Sequence, residues 1–300
     1  MLKCYTISTL KALREIPNLD VCQFTLNARM FPGKRKTVEL LKSLSKTCST
    51  KVIVHYDFIY IASRFSLFAP HVRKAIIDEI CSILHYASYD NRIIGIVMHT
   101  DFPLKKEVLQ KPTVETLQEE YKSSLFSIEN PEFVINNIDN IVYYNLRDFF
   151  ETLEQAIQSK GIKTNKRVYL ENTTKVGPKN QGNLYQLIDF CTKSKFPHIG
   201  ICIDSEHCFA VDGIFPFDIT GIDVPIIYHL NTIPSEVEPR SKKDRQSFTT
   251  LTECSKLSLQ QYINFIDYLE GLNIPYVREV KEETMFREMK QLEELGLYGS

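Results

Sequence analysis

The chain has 300 residues, enough to bury a large core and close to the upper size of one domain. Apolar residues make up 43% and charged residues 24%, a globular balance that excludes bulk disorder. The net charge is −1, so no global basic field serves a polyanion, and any nucleic-acid surface must be local.

Short apolar, β-branched runs alternate along the chain with longer amphipathic stretches. Strands are expected at 2–7 (LKCYTI) and 21–26 (VCQFTL), then a helix at 36–46 and a strand at 51–54 (KVIV). A helix over 70–87 opens on Pro70, where a missing N–H costs nothing, and a strand comes next at 93–98 (IIGIVM). The segment 101–144, with Pro103, Pro112 and Pro131 and an excess of Lys, Glu and Gln, reads as an insertion carrying some helix at about 114–127. Beyond it come a helix at 145–160, a strand at 167–170 (RVYL), a helix at 183–194 and a strand at 199–203 (IGICI). The last units are strands at 224–228 (VPIIY) and 274–278 (IPYVR), with a helix at 257–271 between them. Fully apolar runs of this length suit strands covered on both faces, as in a parallel sheet. Eight such units predict an α/β chain folded as one (β/α)8 barrel domain over 1–300 with the 101–144 insertion. An open doubly wound sheet is the alternative, weakened because no G-x-G-x-x-G stands after the first strand.

The N-terminal MLKCYTISTLKALREI lacks the apolar core of a secretion signal, and no apolar run approaches the ~20 residues that span a bilayer. The expectation is an intracellular protein of the cytoplasm or nucleus. Eight cysteines (Cys4, Cys22, Cys48, Cys81, Cys191, Cys202, Cys208 and Cys254) form no C-x-x-C pair. They read as reduced, buried thiols, which argues against a cysteine-ligated zinc.

The informative pattern lies at the C-terminal ends of the apolar runs. KVIV leads into His55, IIGIVM into His99, RVYL into Glu171, IGICI into Asp204 with His207 three residues on, VPIIY into His229, and IPYVR into Glu279. In a parallel barrel the C-terminal strand ends converge on one face, where active sites are built. These side chains should therefore meet in one nitrogen- and oxygen-rich pocket suited to zinc, with manganese or iron as rivals. Singly, a strand-end His is more often a core residue and a strand-end carboxylate more often a helix cap. The chain has seven histidines and four fall into this register, whereas His71, His85 and His198 read as structural.

With these motifs the chain resembles the endonuclease IV family of apurinic/apyrimidinic endonucleases, from about residue 20 to the end except 101–165. The blocks are VHYDFIYIAS, YLENT, GICIDSEHCFA, YHLN and SKKDRQS. The resemblance implies a TIM barrel of the xylose-isomerase-like/endonuclease IV type with three metals. His55, His99 and Glu171 would hold the first. Glu171 would bridge to a second held also by Asp204, His229 and Glu279. His207 and Asp244 would hold the third, where Gln246 replaces the family's histidine and weakens the site. Arg29 and the Phe58–Ile59 pair would contact DNA, the pair as a wedge in the base stack.

The implied activity is a zinc-dependent AP endonuclease, a hydrolase that cuts the phosphodiester 5′ to abasic sites in double-stranded DNA during base-excision repair. Two Zn2+ ions would bind tightly and a third more weakly, with Mn2+ as an alternative. Glu171 would bridge, Glu279 would position or deprotonate the nucleophile, and Arg245 would contact phosphate. The protein would act as a monomer. Two rival readings stand beside this one: a sugar isomerase or epimerase on the same barrel, and a catalytically weakened DNA-damage-binding protein.

Overall fold

The computed structural model describes residues 4–7, 19–26, 36–47, 49–56, 70–100, 110–117, 131–174, 176–212, 218–230, 256–279, 285 and 290. Among these residues, eight parallel strands run in sequence order: β1 (Cys4–Ile7), β2 (Val21–Thr25), β3 (Lys51–His55), β4 (Ile93–His99), β5 (Arg167–Glu171), β6 (Ile199–Asp204), β7 (Ile226–His229) and β8 (Tyr276–Val277). Each pairs in parallel with the next, and β8 lies against β1 and β2, so the ends of the sheet come together as a TIM barrel. All eight lie where the apolar runs predict them. The reason is visible in β6, where all six residues of IGICID are buried because side chains on both faces are covered.

The outer layer holds α1 (Thr37–Thr47), α2 (Pro70–Ala87), α3 (Pro131–Asn136), α4 (Ile141–Ser159), α5 (Leu184–Ser194), α6 (Ser205–Asp212) and α7 (Lys256–Gly271). On α4, Ile141, Val142, Leu146, Phe149, Phe150, Leu153 and Ile157 are buried, the i, i+3/i+4 stripe of a helix laid on a sheet. In α5, Asn183 caps the start by accepting from the Gln186 N–H, and Lys195 ends it in a left-handed turn. Helices α3 and α6 have no counterpart among the predicted elements. Helix α4 begins at Ile141, inside the stretch expected to be insertion. Of the helix expected at about 114–127, residues 114–117 are helical, and 118–127 lie outside the described residues.

A buried carboxylate joins two helices to a strand end. Glu79 on α2 accepts from Thr37 Oγ1 of α1 at 2.5 Å and from Tyr56 Oη at 2.8 Å. Tyr56 directly follows His55, so this network anchors the chain where β3 delivers its imidazole. Cys22, Cys81, Cys191, Cys202 and Cys208 are buried and unbridged, as expected, while the side chains of Cys4, Cys48 and Cys254 lie outside the described residues. No helix of the described residues is long and apolar enough to cross a membrane.

Candidate metal centre at the barrel mouth

The strand ends bring all seven register residues together. Glu171, the last residue of β5, is the hub and is fully buried. Its Oε2 lies 3.1 Å from His55 Nε2 and 3.3 Å from His99 Nε2. Its Oε1 lies 3.4 Å from His207 Nδ1 and 3.5 Å from His229 Nδ1. His229 Nδ1 is also 3.7 Å from Asp204 Oδ2 and 3.7 Å from Glu279 Oε1.

These separations match what ligands of a shared cation require. Two donors each ~2.1 Å from one ion at a tetrahedral angle sit roughly 3.4 Å apart. That is too long for a good hydrogen bond. Accordingly, Glu171 Oε1 and His229 Nδ1 are buried polar atoms without a hydrogen-bond partner, an arrangement that is costly unless something else satisfies them. Donor atoms within 4.8 Å of one another form the sets His55–His99–Glu171 and Glu171–Asp204–His229–Glu279, so the residues fit a divalent cation. A third set, Glu171–Cys202–His229, includes a thiol that the cysteine pattern had argued away from metal.

Backbone ties hold the ligands in place. Asn172, next to Glu171, donates from Nδ2 to the Asp204 carbonyl at 3.0 Å and accepts the Asp204 N–H at Oδ1 at 2.7 Å. Its own carbonyl accepts from His207 Nδ1 at 2.8 Å. Asp204 Oδ1 caps α6 by accepting the His207 N–H at 2.8 Å, which leaves Oδ2 to face the imidazoles. Ser205 Oγ donates to the His229 carbonyl at 3.0 Å, and Thr100 Oγ1 to the Glu171 carbonyl at 2.6 Å.

The electrostatics are those of buried carboxylates packed against imidazoles. Burial alone would push the Glu171 pKa up, but the neighbouring imidazoles of His99, His229 and His55 hold it well below the usual carboxylate range. Burial opposes charge on His229 too, yet its neighbours Cys202, Glu279 and Glu171 raise its pKa well above that of a free imidazole. His207 is raised for the same reason, with Asp204 and Glu171 outweighing its burial. A bound cation would offset the same negative charge, so protons and metal compete for these nitrogens.

Four members form a buried floor: His55, Glu171, Asp204 and His229. His99, His207 and Glu279 keep 24%, 23% and 23% of their side chains exposed and line the open side. Sequence reasoning missed Gln23 and Asn172. Gln23 Oε1 accepts from His229 Nε2 at 2.7 Å, and Gln23 Nε2 donates to Glu279 Oε1. Asn172 carried a signal, since it stands inside the YLENT block. Arg29, Phe58, Ile59, Asp244, Arg245 and Gln246 lie outside the described residues, as does the third metal position they were to complete.

No protein-family model matches the chain, and no curated protein sequence does. Solved structures do. A D-tagatose 3-epimerase-like protein shares 14% identity over 97% of this chain and 96% of its own, with a TM-score of 0.54. A xylose isomerase domain protein from Planctomyces limnophilus shares 10% over 98% and 96%, with a TM-score of 0.54. The 3-keto-D-glucoside 4-epimerase of E. coli shares 11% over 97% and 100%, with a TM-score of 0.53. The likeness establishes the fold, a xylose isomerase-like TIM barrel. It also corrects the expectation of a zinc-dependent endodeoxyribonuclease, because these neighbours are epimerase and isomerase types. The physical reason lies in the motifs. E-N-T, C-I-D-x-x-H and H-L-N specify where carboxylates and imidazoles sit around a cation, and that placement serves more than one reaction.

Proposed function

We propose that the chain is a divalent-metal-dependent isomerase or epimerase acting on a small polyhydroxy carbonyl compound of the sugar class. The observation that carries this reading is the pair of orphaned buried atoms, Glu171 Oε1 and His229 Nδ1, set 3.5 Å apart among two further carboxylates at the barrel mouth. The names of the structural neighbours support it as analogy.

Glu171, Asp204, His229 and Glu279 would hold one cation, and His55 and His99 would share Glu171 with a second. When bound, the metal supplies Lewis-acid polarisation of a substrate carbonyl and its neighbouring hydroxyl. The chain's own groups do the rest. Glu279 is the carboxylate open to the pocket, so it is the group placed to take the proton from the carbon beside the carbonyl. That transfer leaves an enediolate. Returning the proton to the former carbonyl carbon, while the hydroxyl proton passes to the former carbonyl oxygen, isomerises the sugar, and protonating the original carbon from the opposite face epimerises it. His207, partly open at the rim, orients substrate hydroxyls. Glu171, fully buried, holds the floor of the site and excludes water from it.

The test is proton exchange, which works across a panel of sugars without the substrate being identified first. Protein loaded with Mn2+, Co2+ or Zn2+ is incubated in D2O with ketohexoses, pentoses and their phosphates, and the C–H signal beside the carbonyl is followed by NMR. Metal-dependent loss of that signal is the expected result. No exchange with any member of the panel, or scission of an abasic duplex without exchange, overturns the reading.

A further inference from the structure

Gln23 sits in the middle of β2, inside a strand whose neighbours Cys22 and Phe24 are core residues, and it is fully buried. A buried amide in the wall of a barrel is costly unless both ends are used. Here both ends are used by site residues. One end meets Glu279 beyond β8 and the other meets His229 at the end of β7.

The chemistry of the three groups decides every proton between them. Gln23 Nε2 donates to Glu279 Oε1, so the amide NH2 faces the carboxyl group. The amide oxygen must then face His229. That oxygen only accepts, so His229 Nε2 must carry hydrogen. The opposite amide orientation would set oxygen against carboxylate and is excluded. His229 is thereby left to present Nδ1 to Glu171, Asp204 and Glu279, and Nδ1 is the atom without a hydrogen-bond partner. One residue thus fixes the tautomer of an imidazole and the direction of a carboxylate that meet at the same point.

We propose that Gln23 is a positioning residue of the metal centre, holding His229 with Nδ1 free for the cation and Glu279 turned toward it. The inference rests on the metal-site reading above. A merely structural Gln23 would support folding without affecting the imidazole or the affinity for the ion, whereas a positioning residue of this kind sets ligand affinity by roughly 10–100-fold.

The experiment compares wild type, Gln23→Leu and Gln23→Glu by Zn2+ titration against a competing chelator. Side-chain 15N NMR of the Zn2+-loaded proteins follows the His229 Nε2–H, and thermal melting checks folding. Gln23→Leu should weaken Zn2+ binding roughly 10–100-fold and expose the His229 Nε2–H to rapid exchange. Gln23→Glu keeps an acceptor for His229 but sets a carboxylate against Glu279. It should retain the protected Nε2–H and still bind Zn2+ more weakly than wild type. Gln23→Leu with wild-type affinity and a protected Nε2–H overturns the proposal. Should Gln23→Leu not fold, Gln23→Glu decides: wild-type affinity, or loss of the protected Nε2–H, overturns it. A wild-type protein that takes up no Zn2+ sinks the metal-site reading itself, and Gln23 with it. Tight wild-type binding that ignores both variants sinks Gln23 alone.

Discussion

Tyr169 occupies the space that a side chain at Gly200 would need. A Cβ at Gly200 would come within 2.5 Å of Tyr169 Cδ1 and 3.0 Å of the Pro225 carbonyl oxygen, and one at Gly95 would meet Tyr169 Cε2 at 2.5 Å and the Arg167 carbonyl at 2.8 Å. The glycines of β4 and β6 therefore flank one tyrosine of the strand between them. The ring can yield only into a close-packed wall, and the carbonyls belong to the sheet. Gly200→Ala should destabilise by about 1–3 kcal/mol, read as a lower melting midpoint. Adding Tyr169→Val should recover part of that loss, because it removes the ring but not the carbonyl contact. A Gly200→Ala protein that melts like wild type would mean the ring has room to move.

Asn172 makes the next prediction, since three hydrogen bonds tie it to Asp204 and His207. Asn172→Ala removes the two made by the side chain and leaves the Asp204 N–H and C=O without those partners. Each buried group so exposed costs about 1–3 kcal/mol. The variant should melt lower and bind Zn2+ more weakly, because Asp204 Oδ2 is aimed by the backbone that Asn172 holds. Unchanged Zn2+ affinity with lowered stability would confine Asn172 to a structural role.

These residues show where sequence reading reaches and where it stops. The strands were legible because a parallel sheet buried on both faces writes itself as continuous apolar runs such as IGICID. The ligands were legible because each stands where its run ends. Gln23 was not, since it interrupts VCQFT like any strand polar residue. Its meaning depends on partners 206 and 256 residues away, brought near only when the sheet closes. Helix α6 was missed because SEHCFAVD is short and has no apolar stripe, and it owes its start to the cap from Asp204. The reaction was the least legible. Ligand spacing reports a cation site, while the substrate is chosen by loops and rim residues that the motifs do not encode.

His198, read from sequence as structural, is held at both ring nitrogens. Nδ1 lies 2.7 Å from Glu154 Oε2 and Nε2 lies 3.2 Å from the Thr164 carbonyl. Both partners accept, so the imidazolium is the form that satisfies them. The Glu154 hydrogen bond raises the His198 pKa, against burial and the repulsion of Arg167. A raised folded-state pKa adds stability that is fully present below the unfolded value of about 6.5 and is lost as pH rises through the folded value. His198→Gln should therefore cost on the order of 1 kcal/mol at about pH 5.5 and distinctly less at about pH 9. Urea melts of both proteins at the two pH values measure the difference. A penalty that stays constant, or grows toward alkaline pH, would show that the imidazolium is not the bound form.

Glu171→Gln tests the hub of the site. Glutamine keeps the size of the side chain but loses its charge, and it must turn an NH2 toward one of two imidazole sets. Oε2 faces His55 and His99, and Oε1 faces His207 and His229, so either amide orientation places a donor where a cation ligand is needed. Metal affinity should fall by roughly 100-fold or more, beyond the effect expected of residues that only support ligands. The consequence can be read without substrate. Metal at 100 times its dissociation constant stabilises a folded protein by about 2.7 kcal/mol, and the same concentration acting on a site 100-fold weaker gives only about 0.4 kcal/mol. Wild type should thus show a clear rise in melting midpoint on adding Mn2+ or Zn2+ and a matching fall with chelator. Glu171→Gln should show little of either, and its sugar proton exchange should drop by several orders of magnitude. Equal metal-induced shifts in the two proteins would remove Glu171 from the ligand set and leave its burial among four imidazoles to be explained by charge pairing alone.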